Sequence, residues 1–380
     1  MTGREYSQQN TPVSKPAGSS DIPPDLYRDL FNSTIGEVIH HAIRIIGGTP
    51  SLIIPAGRIL RYQKKAANIR AKHEKEGLLV PPVLIISITA RCNLTCARCY
   101  MHARKENQKP EMSPAMLTSI IDQARALGVS IIVIAGGEPF VRAEEIIRIA
   151  QNHPAILFPV FTNGLLIDEP LADTLASCRN IVPMISVEGL RDETDARRGN
   201  GVFDRLFLAC HHLKSRDIFF GCSITTTSAN YETVTRDVFI RQMIDASIRV
   251  FSYVEYVPMT PGTEELVLTH KQKQNLPGIL ARLNQKYPAL FLGFPGDEAY
   301  YGGCLAAGRG FVHVSPSGDL EPCPAASYSD ANLTEMSLKE GLKSPFLQRL
   351  RDIPELLTES AGGCALHENE DMVRKILSKP

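Results

Sequence analysis

The sequence has no excess of charge of either sign and no long apolar run. Its 380 residues carry 41 Lys and Arg against 41 Asp and Glu, so the formal net charge is zero. A balanced chain has no overall field that would attract nucleic acid or an acidic substrate, so no nucleic-acid partner is expected and other partners must be argued from local features. No stretch approaches the roughly 20 apolar residues that are needed to cross a bilayer.

No N-terminal signal peptide is evident either, although the chain has nine cysteines. In such a chain cysteines indicate a reducing compartment, and metal ligation before disulfide bonds. We therefore expect a cytoplasmic protein with at least one metal site, long enough to bury a large core.

Three of the cysteines have the spacing CxxxCxxC, at Cys92, Cys96 and Cys99, and Tyr100 follows them directly. Three thiolates on one short loop can reach three irons of a [4Fe-4S] cluster, which ordinarily has four Cys ligands, so the fourth iron stays open. Zinc is the alternative. A structural zinc site has four protein ligands and usually pairs one CxxC with a second CxxC or HxxxH, and no such second half lies nearby.

The spacing and the aromatic residue after it resemble the signature of the radical S-adenosylmethionine (SAM) enzymes. The resemblance implies that SAM chelates the open iron through its amino and carboxylate groups. It further implies that an electron from the cluster cleaves SAM, and that the 5'-deoxyadenosyl radical abstracts hydrogen from a substrate. A low-potential electron donor such as ferredoxin or flavodoxin is the implied partner. The alternative class is a non-catalytic iron–sulfur or zinc protein of the same fold.

Apolar runs alternate with helical patterns between residues 80 and 260. Six successive βα units predict a parallel sheet with right-handed crossovers, closed or partly closed into a barrel, with its active site at the C-terminal strand ends. The resemblance implies the same α/β architecture, a partial (βα)6 TIM-like barrel. The predicted strands are 83–89, 130–135, 156–161, 181–187, 218–225 and 249–257, and the predicted helices are 113–127, 142–151, 170–178, 202–215 and 231–245.

Family motifs follow these strands. The stretch Gly136, Gly137, Glu138 and Pro139 matches the GGEP motif, whose backbone and carboxylate take up the SAM ammonium group, and glycine lets the backbone approach a ligand closely. The resemblance assigns further SAM contacts to polar residues at later strand ends, which are also compatible with ordinary turns or exposed surface: Asn163, Ser186, Arg198 and Thr226, with Arg198 at the SAM carboxylate. The candidates for the substrate pocket are Tyr253, Glu255 and Tyr256.

A second group of cysteines follows, at Cys304, Cys323 and Cys364. A hairpin is predicted between 312–316 and 320–323, and the pattern resembles the auxiliary-cluster extension called SPASM in its long form and twitch in its short form. A full SPASM segment has more cysteines than these three, so the resemblance implies one auxiliary [4Fe-4S] cluster with an unassigned fourth ligand. Zinc with His367 is the alternative. The remaining cysteines are predicted to be core residues: Cys178, Cys210 and Cys222.

The expected domains are a disordered tail (1–24), amphipathic helices (25–79), the barrel (80–260), a linker helix and loop (261–300) and the cluster domain (301–380). The first helix (25–46) should end at Gly47 and Gly48. The second (55–76) carries seven basic residues, and a helix at 264–287 should be interrupted at Pro277.

The N-terminal helices are expected to pack beside the barrel. A peripheral membrane contact through the basic surface is the alternative. Because no strands are predicted before residue 80, a small-molecule or lipid-like substrate is favoured over a peptide or protein.

Overall fold

The computed structural model describes residues 24–46, 49–104, 109–294, 301, 303–358 and 364–378. The tail expected at 1–24, apart from its last residue, and the expected helix end at Gly47 and Gly48 lie outside the described residues. So does most of the Gly/Pro-rich end of the expected linker.

One mostly parallel sheet organises the described chain. Its nine strands lie in the order β7-β6-β5-β4-β3-β2-β1-β8-β9, and only the pair β8 and β9 is antiparallel. The edge strands β7 and β9 do not pair with each other, so the barrel is open, as the partial-barrel prediction expected. The strands are β1 Val83–Ser87, β2 Ile131–Ala135, β3 Phe158–Thr162, β4 Ile181–Val187, β5 Gly221–Thr226, β6 Val250–Glu255, β7 Leu290–Phe294, β8 Phe311–Val314 and β9 Leu320–Glu321.

Helices connect the strands and cover the outer face of the sheet. They are α1 Pro24–Ile46, α2 Pro50–Lys75, α3 Tyr100–Ala103, α4 Pro114–Leu127, α5 Ala143–Asn152, α6 Glu169–Ala176, α7 Arg191–Arg198, α8 Val202–Lys214, α9 Tyr231–Thr235, α10 Asp237–Asp245, α11 His270–Lys286, α12 Leu338–Gly341, α13 Pro345–Arg351, α14 Ala365–Glu368 and α15 Glu370–Leu377. Short 3₁₀ turns lie at Pro139–Arg142, Glu264–Leu266 and Pro354–Leu357.

Three helix predictions are wrong in detail. The helix predicted at 231–245 is two helices, because Arg236 is extended between them. Pro277 does not interrupt α11. It lies on the exposed side, where water can replace the lost backbone hydrogen bond. Helix α2 begins at Pro50 and contains Pro55 rather than starting there.

The chain after residue 260 is more closely joined to the barrel than the predicted domains imply. The expected linker contains strand β7, which pairs with β6 from Val250 opposite Leu290. Strand β8 of the predicted hairpin pairs in parallel with β1, with Val83 opposite Phe311. The C-terminal segment therefore extends the barrel sheet at the edge where the cysteine loop begins.

Helix α1 closes the N-terminal end of the concave face. On that face Met184, Val250 and Leu290 lie beside one another on neighbouring strands, and Val38 and Ile45 of α1 pack against them. The next residues of the same face, one step nearer the C-terminal ends, are Ser186, Ser223 and Ser252 in register on β4, β5 and β6. The concave face thus has an apolar floor below a row of hydroxyl groups.

Helix α2 packs against α4 and the loop after it, as the favoured interpretation expected. Tyr62 donates to the Arg125 carbonyl over 2.9 Å, and Gln63 donates to the Ser130 carbonyl over 3.3 Å. One of the seven basic residues, Arg70, is buried and donates to the Gly128 carbonyl. Among the residues described, no helix is long and apolar enough to cross a membrane.

Candidate active site

The CxxxCxxC loop leaves the C-terminal end of β1. Cys92 is exposed and Cys96 and Cys99 are half-buried, and all three thiols are free of disulfide bonds. Arg98 adopts a left-handed backbone conformation with φ 58°, which coils the chain between the second and third cysteine. The base of the loop is held by Glu111, whose carboxylate accepts hydrogen bonds from the Thr89 hydroxyl and the Ala90 amide over 2.7 and 2.9 Å.

Gly136 and Gly137 bring the end of β2 against this loop. The Gly137 amide donates to the Thr89 carbonyl over 2.8 Å, and the next amide donates to the Arg91 carbonyl over 2.9 Å. A Cβ atom on Gly136 would lie 2.4 Å from the Thr89 carbonyl oxygen, and one on Gly137 would lie 2.3 Å from that of Arg91. Only glycine permits this backbone contact.

Glu138 is fully buried and already has donors from the chain. Its Oε1 accepts from the Phe140 amide and the Thr162 hydroxyl over 3.0 and 2.8 Å, and its Oε2 accepts from the Asn163 amide over 2.7 Å. Burial raises the pKa of Glu138, and these hydrogen bonds oppose the rise. The carboxylate joins the ends of β2 and β3 and so positions the motif's backbone. Pro139, next to it, starts the 3₁₀ turn and is buried.

Asn163 follows β3 and contacts the cysteine loop. Its side-chain nitrogen donates to the side-chain Oδ1 of Asn93 over 2.6 Å and lies 3.9 Å from the Cys92 sulfur. Its own side-chain Oδ1 accepts from the Leu165 amide over 3.0 Å. Asn163 therefore fixes the loop beside its first cysteine.

Glu188 and the arginine pair lie at the other side of the loop. The buried Glu188 carboxylate accepts from Arg197 over 2.6 Å and from Arg198 over 2.9 and 2.5 Å. The Ala97 amide donates to the Arg197 carbonyl over 2.8 Å, so α7 is bonded directly to the cysteine loop. The cluster of two arginines and one glutamate leaves one net positive charge beside Cys96.

The structure separates the remaining predicted residues into two groups. Ser186 is on the concave face and half-buried, and Tyr100 begins α3 directly after the third cysteine. Thr226 is fully buried and its hydroxyl lies 3.4 Å from the Ile224 carbonyl of its own strand, so it does not reach the concave face, where Thr225 lies instead. The substrate-pocket candidates are likewise engaged within the chain: Tyr253 with the Val234 carbonyl, Tyr256 with Thr263 and Glu255 with Lys273.

The three C-terminal cysteines lie on segments that are tied together. The Cys304 amide donates to the Leu357 carbonyl over 2.6 Å, and the Ala307 amide donates to the Pro322 carbonyl, next to Cys323, over 3.1 Å. Cys364 caps α14, which packs on the 3₁₀ turn containing Leu357. Cys304 is buried and the other two are half-buried.

Both cysteine sets supply thiols without disulfides, as a cluster requires. The described residues contain no group of three or more His, Cys, Asp or Glu that could hold one metal ion. Ligands of a cubane bind different irons and need not converge on one point. The fully buried Cys210 and Cys222 lie in the core, and burial raises the pKa of Cys210 to about 12.

The sequence alone did not reveal two residues that position other parts of the site, Glu111 and Glu188. Glu111 follows a segment outside the described residues, and no local motif marks it. Glu188 stands two positions after Ser186, and its distance of ten positions from Arg198 gives no sign of the ion pair. Only the fold brings these side chains to the loop.

Comparison with known proteins agrees with this geometry. The model of the radical SAM superfamily matches residues 86–236. The mycofactocin maturase MftC of Mycolicibacterium smegmatis is 28% identical over 307 residues, covering 77% of this chain and 76% of that protein. An AdoMet-dependent heme synthase of Methanosarcina barkeri is 26% identical, covering 75% and 88%. A PqqA peptide cyclase of Granulibacter bethesdensis is 25% identical, covering 65% and 68%.

A solved structure shows the same fold. Streptococcus suis SuiB, bound to its precursor peptide SuiA, aligns with a TM-score of 0.59 at 21% identity and covers 77% of this chain and 71% of that one. The matched region, residues 86–236, begins within β1 and includes the cysteine loop and the ends of β2, β3 and β4. Residues 86–236 of this chain are therefore a radical SAM domain, of the superfamily of enzymes that use a [4Fe-4S] cluster and SAM. Relatives such as the maturase and the peptide cyclase are radical SAM enzymes with C-terminal domains of the SPASM/twitch type, the type predicted for this chain.

Proposed function

We propose that this chain binds a [4Fe-4S] cluster through Cys92, Cys96 and Cys99, binds SAM beside it, and removes a hydrogen atom from a peptide. The observation that carries the proposal is the loop of three free thiols at the C-terminal edge of a parallel sheet, braced from the ends of β2, β3 and β4. When bound, the cluster supplies the electron that cleaves SAM reductively.

The residues around the loop have distinct roles in this proposal. Glu111 and Asn163 hold the loop in one conformation, and Glu138 holds the end of β2 in place. The backbone at Gly136 and Gly137, with Ser186 on the concave face, is assigned to SAM. Arg198 donates hydrogen bonds from Nε and Nη2 to Glu188. Its third nitrogen, Nη1, is assigned to the SAM carboxylate. Burial raises the pKa of the Cys96 thiol, and the positive charges of Arg198 and Arg197 oppose that rise.

The auxiliary site is assigned to Cys304, Cys323 and Cys364. The segments that carry them are joined by backbone hydrogen bonds, and β8 places them next to β1. An auxiliary cluster there would lie at the edge of the sheet that β8 and β9 form beside β1, and would exchange electrons with the SAM-site cluster or anchor the substrate.

A peptide is favoured over the small or lipid-like substrate that the sequence suggested. Two observations support it: the PqqA peptide cyclase among the relatives, and the row of hydroxyls at Ser186, Ser223 and Ser252. Neighbouring strands are about 4.8 Å apart, so the row offers a hydroxyl at each step to the polar groups of an extended chain. The heme synthases among the relatives make an iron porphyrin the second candidate.

Transfer of label from the substrate tests the proposal. The reconstituted enzyme is incubated anaerobically with SAM, reductant and either a pool of uniformly deuterated bacterial peptides or a deuterated iron porphyrin. Mass spectrometry then measures deuterium in 5'-deoxyadenosine. We expect label from the peptide pool. Label from the porphyrin alone would replace the peptide assignment but leave the radical SAM assignment intact.

A further inference from the structure

Four buried polar side chains and the half-buried Tyr100 join the cysteine loop to the C-terminal hairpin. Arg104 follows α3, and its Nη2 donates to both oxygens of Glu321 on β9 over 2.5 and 2.7 Å. His313 on β8 lies with its Nδ1 2.6 Å from Glu321 Oε2 and its Nε2 2.8 Å from the Ser87 hydroxyl on β1. Tyr100, the first residue of α3, lies close to Ser87. The path returns to the helix where it began, and we call these five residues the polar ring.

The ring touches both proposed cluster sites. Tyr100 directly follows Cys99, and the second nitrogen of the Arg104 fork, Nη1, donates to the Pro324 carbonyl over 2.8 Å, next to Cys323. The two arms of one guanidinium therefore hold both the glutamate and the backbone of the residue that follows a proposed cluster ligand. Arg fits this geometry because its planar fork carries several donors at fixed angles.

The charges in the ring are shielded from water. The side chains of Arg104 and Glu321 are each 1% exposed, and His313 is fully buried. A carboxylate can only accept, so His313 donates from Nδ1 to Glu321, and its Nε2 is the acceptor for Ser87 in the neutral tautomer. Arg104 and Glu321 then form a balanced pair in a medium of low dielectric constant, where removing either charge has a large local effect.

We propose that the polar ring couples the auxiliary cluster to the SAM-cluster loop, with Arg104 and Glu321 as positioning residues that also set the auxiliary cluster's reduction potential. The inference rests on the proposed auxiliary cluster at Cys304, Cys323 and Cys364. The potential of an iron–sulfur cluster depends on nearby net charge and on hydrogen bonds around its ligands. Arg104 supplies a positive charge beside Cys323, and Glu321 cancels it.

The sign of the potential change separates this role from a merely structural one. Arg104→Met removes a positive charge and should lower the midpoint potential of the auxiliary cluster. Glu321→Gln leaves that charge uncompensated and should raise it. Loosening of the hairpin alone would move both variants in the same direction. The double variant restores neutrality and should return towards the wild-type value.

The experiment is a redox titration of the holoenzyme followed by EPR, with iron content measured on the same samples. Lys109→Met is the matched control, because Lys109 bridges to Asp319 of the same hairpin over 2.8 Å but is 57% exposed. Screening by water should leave the potential of this variant unchanged. Where Arg104→Met fails to fold, Glu321→Gln is compared with the double variant, in which the second substitution must bring the raised potential back down.

Opposite shifts support the inference. Shifts in one direction, or none, overturn it. A wild-type enzyme that shows no second cluster signal would instead refute the auxiliary-cluster assignment itself, and the iron content makes these two failures distinguishable.

Discussion

Glu138 shows how a residue of a recognised motif can act through its neighbours. Its carboxylate is buried under hydrogen bonds from Phe140, Thr162 and Asn163, and it holds together the ends of two strands that brace the cysteine loop. The motif predicts a carboxylate that meets the ligand. The fold places that carboxylate behind the backbone that faces the loop.

Replacing Glu138 by Gln should therefore reduce stability as well as cofactor binding. An amide turns one acceptor oxygen into a donor, which then faces the chain's own N–H or O–H groups, at a cost of about 1–3 kcal/mol for a buried unsatisfied group. Denaturant unfolding measures the loss. Glu144→Gln on the exposed side of α5 is the control and should change the free energy of unfolding by no more than about 0.5 kcal/mol. Equal effects in the two variants would contradict the positioning role.

Cys210 and Cys222 should be inert thiols. Burial raises the pKa of Cys210 to about 12 and that of Cys222 well above its ordinary value. At pH 8 a thiol with a pKa near 12 is ionised in only about one molecule in ten thousand, and only the thiolate is nucleophilic. Iodoacetamide treatment of the native protein, followed by peptide mass spectrometry, should find both unmodified. Rapid alkylation of either without unfolding would show that the core is open there.

At the scale of elements, the contact between the end of β2 and the cysteine loop depends on the absence of side chains. Gly137→Ala would place a Cβ atom 2.3 Å from the Arg91 carbonyl oxygen, and backbone on both sides prevents relief. We expect loss of most of the iron at the SAM site and little 5'-deoxyadenosine. Gly57→Ala in α2 is the matched control, because nothing lies within 4 Å of its added Cβ. It should keep full iron and be neutral or slightly stabilising. Normal iron in Gly137→Ala would refute this account of the glycine pair.

The N-terminal helices should not bind membranes. The apolar side of α1 packs on the concave floor through Val38 and Ile45, and Arg70 of α2 is committed to the Gly128 carbonyl. In flotation with anionic liposomes we expect the protein to stay at the bottom of the gradient at low salt as well as high salt. Salt-sensitive flotation would restore the membrane alternative.

Local pattern predicted those elements whose signal lies within one segment. The period of apolar residues marks six strands and most of the helices, because burial on both faces or on one face leaves a direct record in sequence. Pairing between strands that are distant along the chain leaves no such record in the sequence. Strand β7 is a five-residue run beside a Gly/Pro-rich stretch, and the pairing of β8 with β1 joins segments more than 200 residues apart. The interface between barrel and hairpin, and the polar ring within it, could therefore not be found from sequence.

The same distinction holds for the site. Cysteines and the Gly-Gly-Glu-Pro stretch are short, spaced signals, so the sequence alone marks them as candidates. Thr226 was chosen for its place at a strand end, but alternation of side chains along β5 directs it away from the concave face and directs Thr225 towards it. A difference of one position along a strand exchanges its two faces.

At the scale of the whole molecule, the sheet joins two cysteine sets into one unit, with the SAM-site loop after β1 and the auxiliary hairpin on the neighbouring strand. Two cubane clusters correspond to about eight irons per chain. Replacing Cys304, Cys323 and Cys364 by Ala should leave about half the iron and preserve SAM binding, measured by iron assay and by equilibrium dialysis. Unchanged iron would show that the C-terminal cysteines hold no cluster.

The most direct test of the central claim is reductive cleavage of SAM by cysteine variants. The variant with Cys92, Cys96 and Cys99 replaced by Ala and the matched variant with Cys178, Cys210 and Cys222 replaced by Ala are reconstituted anaerobically, reduced and assayed for 5'-deoxyadenosine. The account predicts no product from the first and, provided circular dichroism shows that it is folded, product from the second. Continued formation of 5'-deoxyadenosine by the first variant would contradict it.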